Sequence, residues 1–69
     1  MTNEQFRLIR LYLGITQREY AKLIGIPKPT VSKIEAGYTI VTEKNKAKVI
    51  RKFDPEKDEF IEFRRRMKV

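Results

Sequence analysis

The sequence contains no cysteine and no histidine. Without cysteine, neither a disulfide nor a thiolate metal site can brace a small fold. Without histidine, the commonest general base and the commonest metal ligand are both gone. There is no glycine-rich phosphate loop, and 69 residues leave little chain for a pocket beside a core. An enzyme is therefore not expected, nor a metal, a cofactor or a small-molecule substrate. Long apolar runs are absent too. The longest is Leu11–Leu13, and Met1–Glu4 is polar. No membrane span and no secretory leader are read from this, and a soluble, cytoplasmic chain is expected. The length suits one domain over residues 1–69, with a small core and marginal stability.

Acidic charge is scarce over most of the chain. Residues 1–52 hold 11 basic and 4 acidic side chains, whereas residues 53–69 hold 5 of each, and the whole carries +7. A basic body of this kind suits a polyanion, most often nucleic acid, although net charge alone is equally compatible with a basic protein that has no specific partner.

Strand patterns are missing except for "YTIVT" at Tyr38–Thr42, and elsewhere the apolar spacing is helical. The expectation is an all-α fold, a compact bundle of about five short helices. The first runs from about Asn3 to Leu13, with Phe6, Ile9 and Leu13 on one face and Gly14 as its stop. The second opens on "TQRE", a capping box with Thr16 as N-cap and Glu19 three residues on. Tyr20, Ala21 and Ile24 form its inner face and Gly25 ends it. The third covers about Lys28 to Ala36, with Val31 and Ile34 inward and Gly37 as the stop. In "IPKP", Pro29 fits the first helical position and Lys28 the cap, with Ile26 and Lys28 held extended by the prolines that follow them. The fourth helix follows Thr42 or Glu43 and reaches about Phe53. Ala47 and Ile50 face inward, with Phe53 or Val49. The last is read over about residues 55–67, with Asp54 as N-cap, Pro55 at the first position, early acids and late bases (Arg64–Arg66, Lys68). Its stripe is Phe60, Phe63 or Arg64, and Met67, with Ile61 alongside.

The interval between the second and third helices carries the function. Only "GIPK" separates two amphipathic helices, which asks for a small residue at their closest approach (Ala21) and a residue tolerant of positive φ at the turn (Gly25). The second of the pair must anchor by Val31 and Ile34 and keep its other face free. The run "TQREYAKLIGIPKPTVSKIEAG" resembles the helix-turn-helix of the Cro/C1-type (XRE-like, phage repressor) family. The likeness lies in the opening "TQ", Glu19, Ala21, Gly25, Ile26, Val31, "SKIE" and Gly37, and spans about residues 6–40, with the helix-turn-helix proper at about 16–36.

The resemblance implies a lambda-repressor-like DNA-binding domain and a transcription regulator, a phage or mobile-element repressor associated with the nucleoid, whose partner is double-stranded DNA. It implies base contacts from Lys28, Pro29, Thr30, Ser32 and Lys33, the residues that head and face outward from the recognition helix. Lysine can donate to guanine O6 and N7, and serine or threonine can reach several base edges. It implies phosphate contacts from Thr16 and Gln17 at a helix head and from Tyr38, Thr39, Lys44 and Lys46 beyond the recognition helix. Tyr38 is equally readable as a packing residue. Arg10 matches one half of a salt bridge with Glu35, and can also lean toward phosphate. Tyr20 departs from the family by standing where an aliphatic residue is usual; its ring suits the core if its hydroxyl finds a partner.

The chain after Phe53 does not follow the family pattern. Phe60, Ile61, Phe63 and Met67 are more apolar surface than one stripe hides, so they read either as a homodimer surface on the C-terminal helix or as a fifth core helix. The dimer reading has a reason, since such regulators place two recognition helices one DNA turn apart, ~34 Å. The competing function is a protein-binding module, an antirepressor or adaptor acting on another regulator. Such a module would show Leu, Phe or Trp on the outer face of the third helix, where this chain shows small, polar and basic residues. RNA is the weaker candidate, because its A-form major groove is too deep and narrow for a helix.

Overall fold

The computed structural model describes residues 1–67; Lys68, read above among the late bases, lies outside them. Five helices follow one another, α1 (Asn3–Leu13), α2 (Gln17–Ile24), α3 (Lys28–Glu35), α4 (Glu43–Ile50) and α5 (Asp58–Met67), with no strand among the described residues. "YTIVT" is a loop whose Val41 packs on the core while Tyr38 and Ile40 point outward. α3 packs against both α1 and α2, and α5 packs against α1.

Local chemistry sets most of the boundaries. Thr2, Thr16 and Thr42 stand in extended conformation ahead of α1, α2 and α4, and each hydroxyl accepts the N–H three residues on. At Thr16 the box is complete, because Glu19 Oε1 accepts the Thr16 N–H at 2.8 Å. The backbone bond from Thr16, reinforced by the Thr16 side chain, holds the Glu19 carboxylate below the ordinary glutamate range. α2 stops at Gly25, whose φ of 73° turns the chain left-handed, and the N–H groups of Gly25 and Ile26 both close on the Ala21 carbonyl. That closure swings Ile26 into the core and points α3 away from α2.

The head of α3 sits one residue earlier than "IPKP" suggests. Pro27, not Lys28, is the cap; Lys28 is the first helical residue and Pro29 the second. Pro27 already has the extended geometry a cap needs, and its carbonyl accepts the N–H of Thr30 and of Val31. Those two bonds outweigh the bias of a residue before proline against helical geometry.

The core is made by Phe6, Ile9, Tyr20, Val31, Ile34, Val49 and Phe60, all fully buried, with Leu8, Ala21, Ile24, Ile26 and Phe53 nearly so. Tyr20 fills its aliphatic-type site by laying its ring 5.0 Å from that of Phe6 and donating its hydroxyl to the Phe6 carbonyl at 2.8 Å. Burial, reinforced by the nearby Glu35 carboxylate and opposed by Arg10, pushes its phenol above the ordinary value of about 10. The neutral phenol is thus the form the fold favours, and the advantage is intact below pH 10 and lost as pH rises through the folded value. Tyr20→Phe should cost about 1 kcal/mol at neutral pH, the net worth of one hydrogen bond. It should also flatten the fall in stability above about pH 10, as read from urea midpoints across a pH series.

Expectations for both helices of the C-terminal third are corrected. In α4, Val49 is buried, whereas Ala47 and Ile50 are exposed. The helix ends at Ile50, and the chain turns to deliver Phe53 to the core from the following segment. α5 begins at Asp58 and not at Pro55, because Asp54–Lys57 is a turn. The Lys57 N–H donates to the Asp54 carbonyl, and the Asp54 carboxylate accepts the Glu56 N–H at 2.9 Å. Proline in second place and aspartate in first place are what such a turn selects. Phe60 is fully buried and Phe63 half-buried against Tyr12, so these two members of the expected dimer surface belong to the fold; Ile61 and Met67 are exposed.

Candidate nucleic-acid interface

α3 reaches about 12 Å at 1.5 Å per residue, a length that fits across a B-form major groove. Its buried side, Val31 and Ile34, fixes it to α1 and α2. Its other side presents Lys28, Pro29 and Lys33, all exposed, with Thr30 and Ser32 half-covered. The head of the helix has few backbone donors. Pro29 has no N–H and Thr30 spends its own on Pro27, which leaves that of Lys28. Side chains therefore carry what recognition this helix performs.

The one acid of α3, Glu35, is kept out of that surface. Arg10 grips it with two bonds, Nε to Oε2 at 2.7 Å and Nη2 to Oε1 at 2.9 Å, and spends Nη1 on the Ile15 carbonyl at 3.0 Å. The side chains are 16% and 5% exposed, so the pair is a nearly closed brace from α1 to the end of α3. The bond to Glu35, set against the cost of burial, raises the Arg10 pKa further and keeps the guanidinium charged. Three of the five N–H donors of Arg10 are thus spent inward on this brace. Glu35 Oε1 accepts a third bond, from Gln17 Nε2 at 3.1 Å, and Gln17 Oε1 accepts the Ser32 hydroxyl at 2.8 Å.

Gln17 is the first residue of α2, and the box at Thr16 leaves the N–H groups of Gln17 and Arg18 at an open helix head, a suitable seat for an anion. Thr16 is exposed there and caps at the same time. Beyond α3, Gly37 adopts a φ of 83°, and the bonds from Gly37 N to Ile34 O and from Tyr38 N to Lys33 O close the helix. Tyr38 is 84% exposed, which removes its packing role. Thr39 is exposed, and its carbonyl accepts the Asn3 amide at 2.6 Å. The same amide reaches the Ile34 carbonyl at 2.9 Å, so Asn3 pins the loop to the end of α3. Lys44 is exposed, while Lys46 is half-buried in a shallow cavity lined also by Met1, Gln5 and Ile50.

Asn3 and Lys48, which donates to the Gly25 carbonyl at 3.1 Å, are positioning residues for which the sequence holds no sign. Both act on backbone carbonyls far along the chain, and no residue pattern marks such an acceptor. Among the described residues no cluster of acids could hold a metal ion, and no helix is long and apolar enough to cross a membrane.

A family model described as helix-turn-helix matches residues 6–58, from α1 to the first residue of α5. No curated protein and no solved structure gives a match.

Proposed function

The chain belongs to the helix-turn-helix family of XRE, Cro/C1 type, a family of DNA-binding transcription regulators, and from that premise we propose that it reads a specific duplex site through α3 in the major groove. It acts as a repressor of the phage or mobile-element kind, occupying an operator and blocking polymerase. The observation that carries this reading is the outer face of α3. Lys28, Pro29, Thr30, Ser32 and Lys33 are small, polar or basic, and Glu35, the acid that would repel phosphate, is neutralised by Arg10. An adaptor that bound another protein through this face would need apolar anchors there.

The two lysines donate to guanine O6 and N7, and the ring of Pro29 and the methyl of Thr30 suit a thymine methyl. Thr16 and the open head of α2 take one phosphate, together with the backbone of Gln17. Tyr38, Thr39 and Lys44 line the next stretch of backbone, with Lys46 at its margin. Two copies pair across α5 so that two α3 helices meet one face of the duplex. Ile61 is the central contact, and Met67 lies about 120° around the helix from it.

Selection from a random duplex library, followed by gel shifts across a salt series, tests the reading. A preferred sequence is expected, with affinity falling as salt rises by a slope of about 0.9 per phosphate contacted. Paired half-sites about ten base pairs apart support the dimer, and isolated half-sites overturn it. Binding without any preferred sequence, however steep its salt slope, would leave only non-specific association. Lys33→Ala should relax the preference at one position, by about 1–3 kcal/mol. If it weakened all sequences equally, Lys33 would be a phosphate contact.

A further inference from the structure

We propose that Ser32 selects an amine-bearing base, adenine or cytosine, because a relay of side chains turns its hydroxyl into a fixed acceptor toward the groove. The proposal rests on the duplex-reading function above and names one of its specificity elements.

The relay begins at Glu35. Its carboxylate accepts only, and Arg10 holds both oxygens in place, at 2.7 and 2.9 Å. The Gln17 atom that lies 3.1 Å from Glu35 Oε1 must therefore be the amide nitrogen. The flipped amide would set a carbonyl oxygen against a carboxylate oxygen at that distance. With its nitrogen committed to Glu35, Gln17 turns its carbonyl toward Ser32. A carbonyl also accepts only, so the single hydroxyl proton of Ser32 lies on the 2.8 Å line to Gln17 Oε1. What Ser32 Oγ has left for any other partner is lone pairs.

A serine on a recognition helix is ordinarily indifferent, since its hydroxyl rotates to donate or to accept. This one is not free to rotate. In the major groove the donors are the N6 amine of adenine and the N4 amine of cytosine, while guanine and thymine present acceptors. Ser32 Oγ meets an amine with a hydrogen bond and a keto oxygen with repulsion. Lys28 and Lys33, which flank it on the same helix, are donors only and demand the opposite. The face thus combines two readers of acceptors with one reader of donors. Gln17 and Glu35 are positioning residues in this scheme; they act through Ser32.

The test uses the full chain and the duplex obtained by selection. Affinities are measured for wild type, Ser32→Ala and Gln17→Lys on duplexes carrying each of the four bases at every position. In the wild type one position should favour adenine or cytosine over thymine or guanine by about threefold to tenfold, the worth of one hydrogen bond. Ser32→Ala should abolish that preference and leave the others. Gln17→Lys is the decisive arm. An ammonium there donates to Glu35 and to Ser32 alike, so Oγ must accept from it and its proton is released toward the groove. The preference at that same position should then reverse toward guanine or thymine. Each ratio is taken within one protein, so a general gain or loss of phosphate attraction cancels, and thermal unfolding establishes that each variant is folded.

Three results would overturn the proposal while leaving duplex reading intact. They are a keto base favoured where Ser32→Ala acts, a Ser32→Ala variant with every preference unchanged, and a Gln17→Lys variant with the same sign as wild type. Absence of any preferred sequence in the selection would instead remove the function on which the proposal rests.

Discussion

Arg10→Ala should leave the protein largely unfolded in ordinary buffer at neutral pH. The substitution strands the Glu35 carboxylate, 5% exposed, with the Gln17 amide as its one remaining partner, and it takes a donor from the Ile15 carbonyl. Breaking a buried pair by removing one partner costs about 3–5 kcal/mol, because a charge is left uncompensated in a poorly solvated place. A core in a chain this short rarely supplies more than about 3–5 kcal/mol in total. Cost and reserve are therefore of the same size. The contrast within the molecule is α5, where Arg65 and Arg66 both reach Glu62. Those side chains are 73%, 78% and 49% exposed, and such surface pairs are worth about 0–1 kcal/mol each. Arg65→Ala should be nearly silent. Urea unfolding followed by circular dichroism would measure both. A cost below about 1 kcal/mol for Arg10→Ala would mean that water reaches the pair and that it behaves as a surface bridge.

The same pair separates stability from recognition. Replacing both partners by apolar residues of similar size, Arg10→Met with Glu35→Leu, removes the stranded charge and should restore most of the stability, since such exchanges are often neutral or favourable. It also removes the anchor that orients Gln17. The double variant should then fold and bind duplex, with a weakened preference at the position assigned to Ser32.

How much of this was legible beforehand depended on how far along the chain the deciding partner lies. The head of α2 was readable because its chemistry is complete within four residues; Thr16 and Glu19 satisfy each other whatever the rest of the chain does. The ends of α2 and α3 were readable for the same reason, through Gly25 and Gly37. "FDPEKDEF" was not. Aspartate before proline suits a helix head and a turn equally, and the choice is made by the rings of Phe53 and Phe60, which meet 5.2 Å apart only when a turn lies between them. Val49 and Ile50 pose a similar problem, since two adjacent apolar residues fit two helical phases and only packing chooses one. The Arg10–Glu35 brace entered by resemblance, not by residue pattern. The step from Glu35 through Gln17 to Ser32 had no sign at all, because Gln17 and Ser32 are 15 residues apart and each had a plausible separate role on DNA. Their mutual bond changes what both can offer.

Phe60→Ala should produce a loss of similar size by a different physical route. The Phe60 ring is fully buried and touches Tyr12, Phe53 and Phe63 at centroid distances of 5.6, 5.2 and 6.4 Å. Tyr12 is the hub, edge-on to all three phenylalanines, and it helps join α1 to α5. Truncation removes the apolar burial of one ring and leaves a cavity that helices on either side cannot fill, at about 3–5 kcal/mol. Ile61, the next residue, is 37% exposed, and Ile61→Ala should stay within about 0.5 kcal/mol. Neighbours in sequence are thus assigned to opposite duties. Phe60 holds α5 to the fold, and in the proposed dimer Ile61 serves the second copy, so that Ile61→Glu should alter the sedimentation of the protein without altering its unfolding at low concentration. Because α5 packs chiefly on α1, Phe60→Ala should lower apparent affinity for duplex mainly through the folded fraction. A stabilising osmolyte, which favours burial by its exclusion from protein surface, should restore binding with every base preference unchanged. If affinity stayed low in a demonstrably folded Phe60→Ala sample whose sedimentation matched wild type, α5 would contribute to the interface itself.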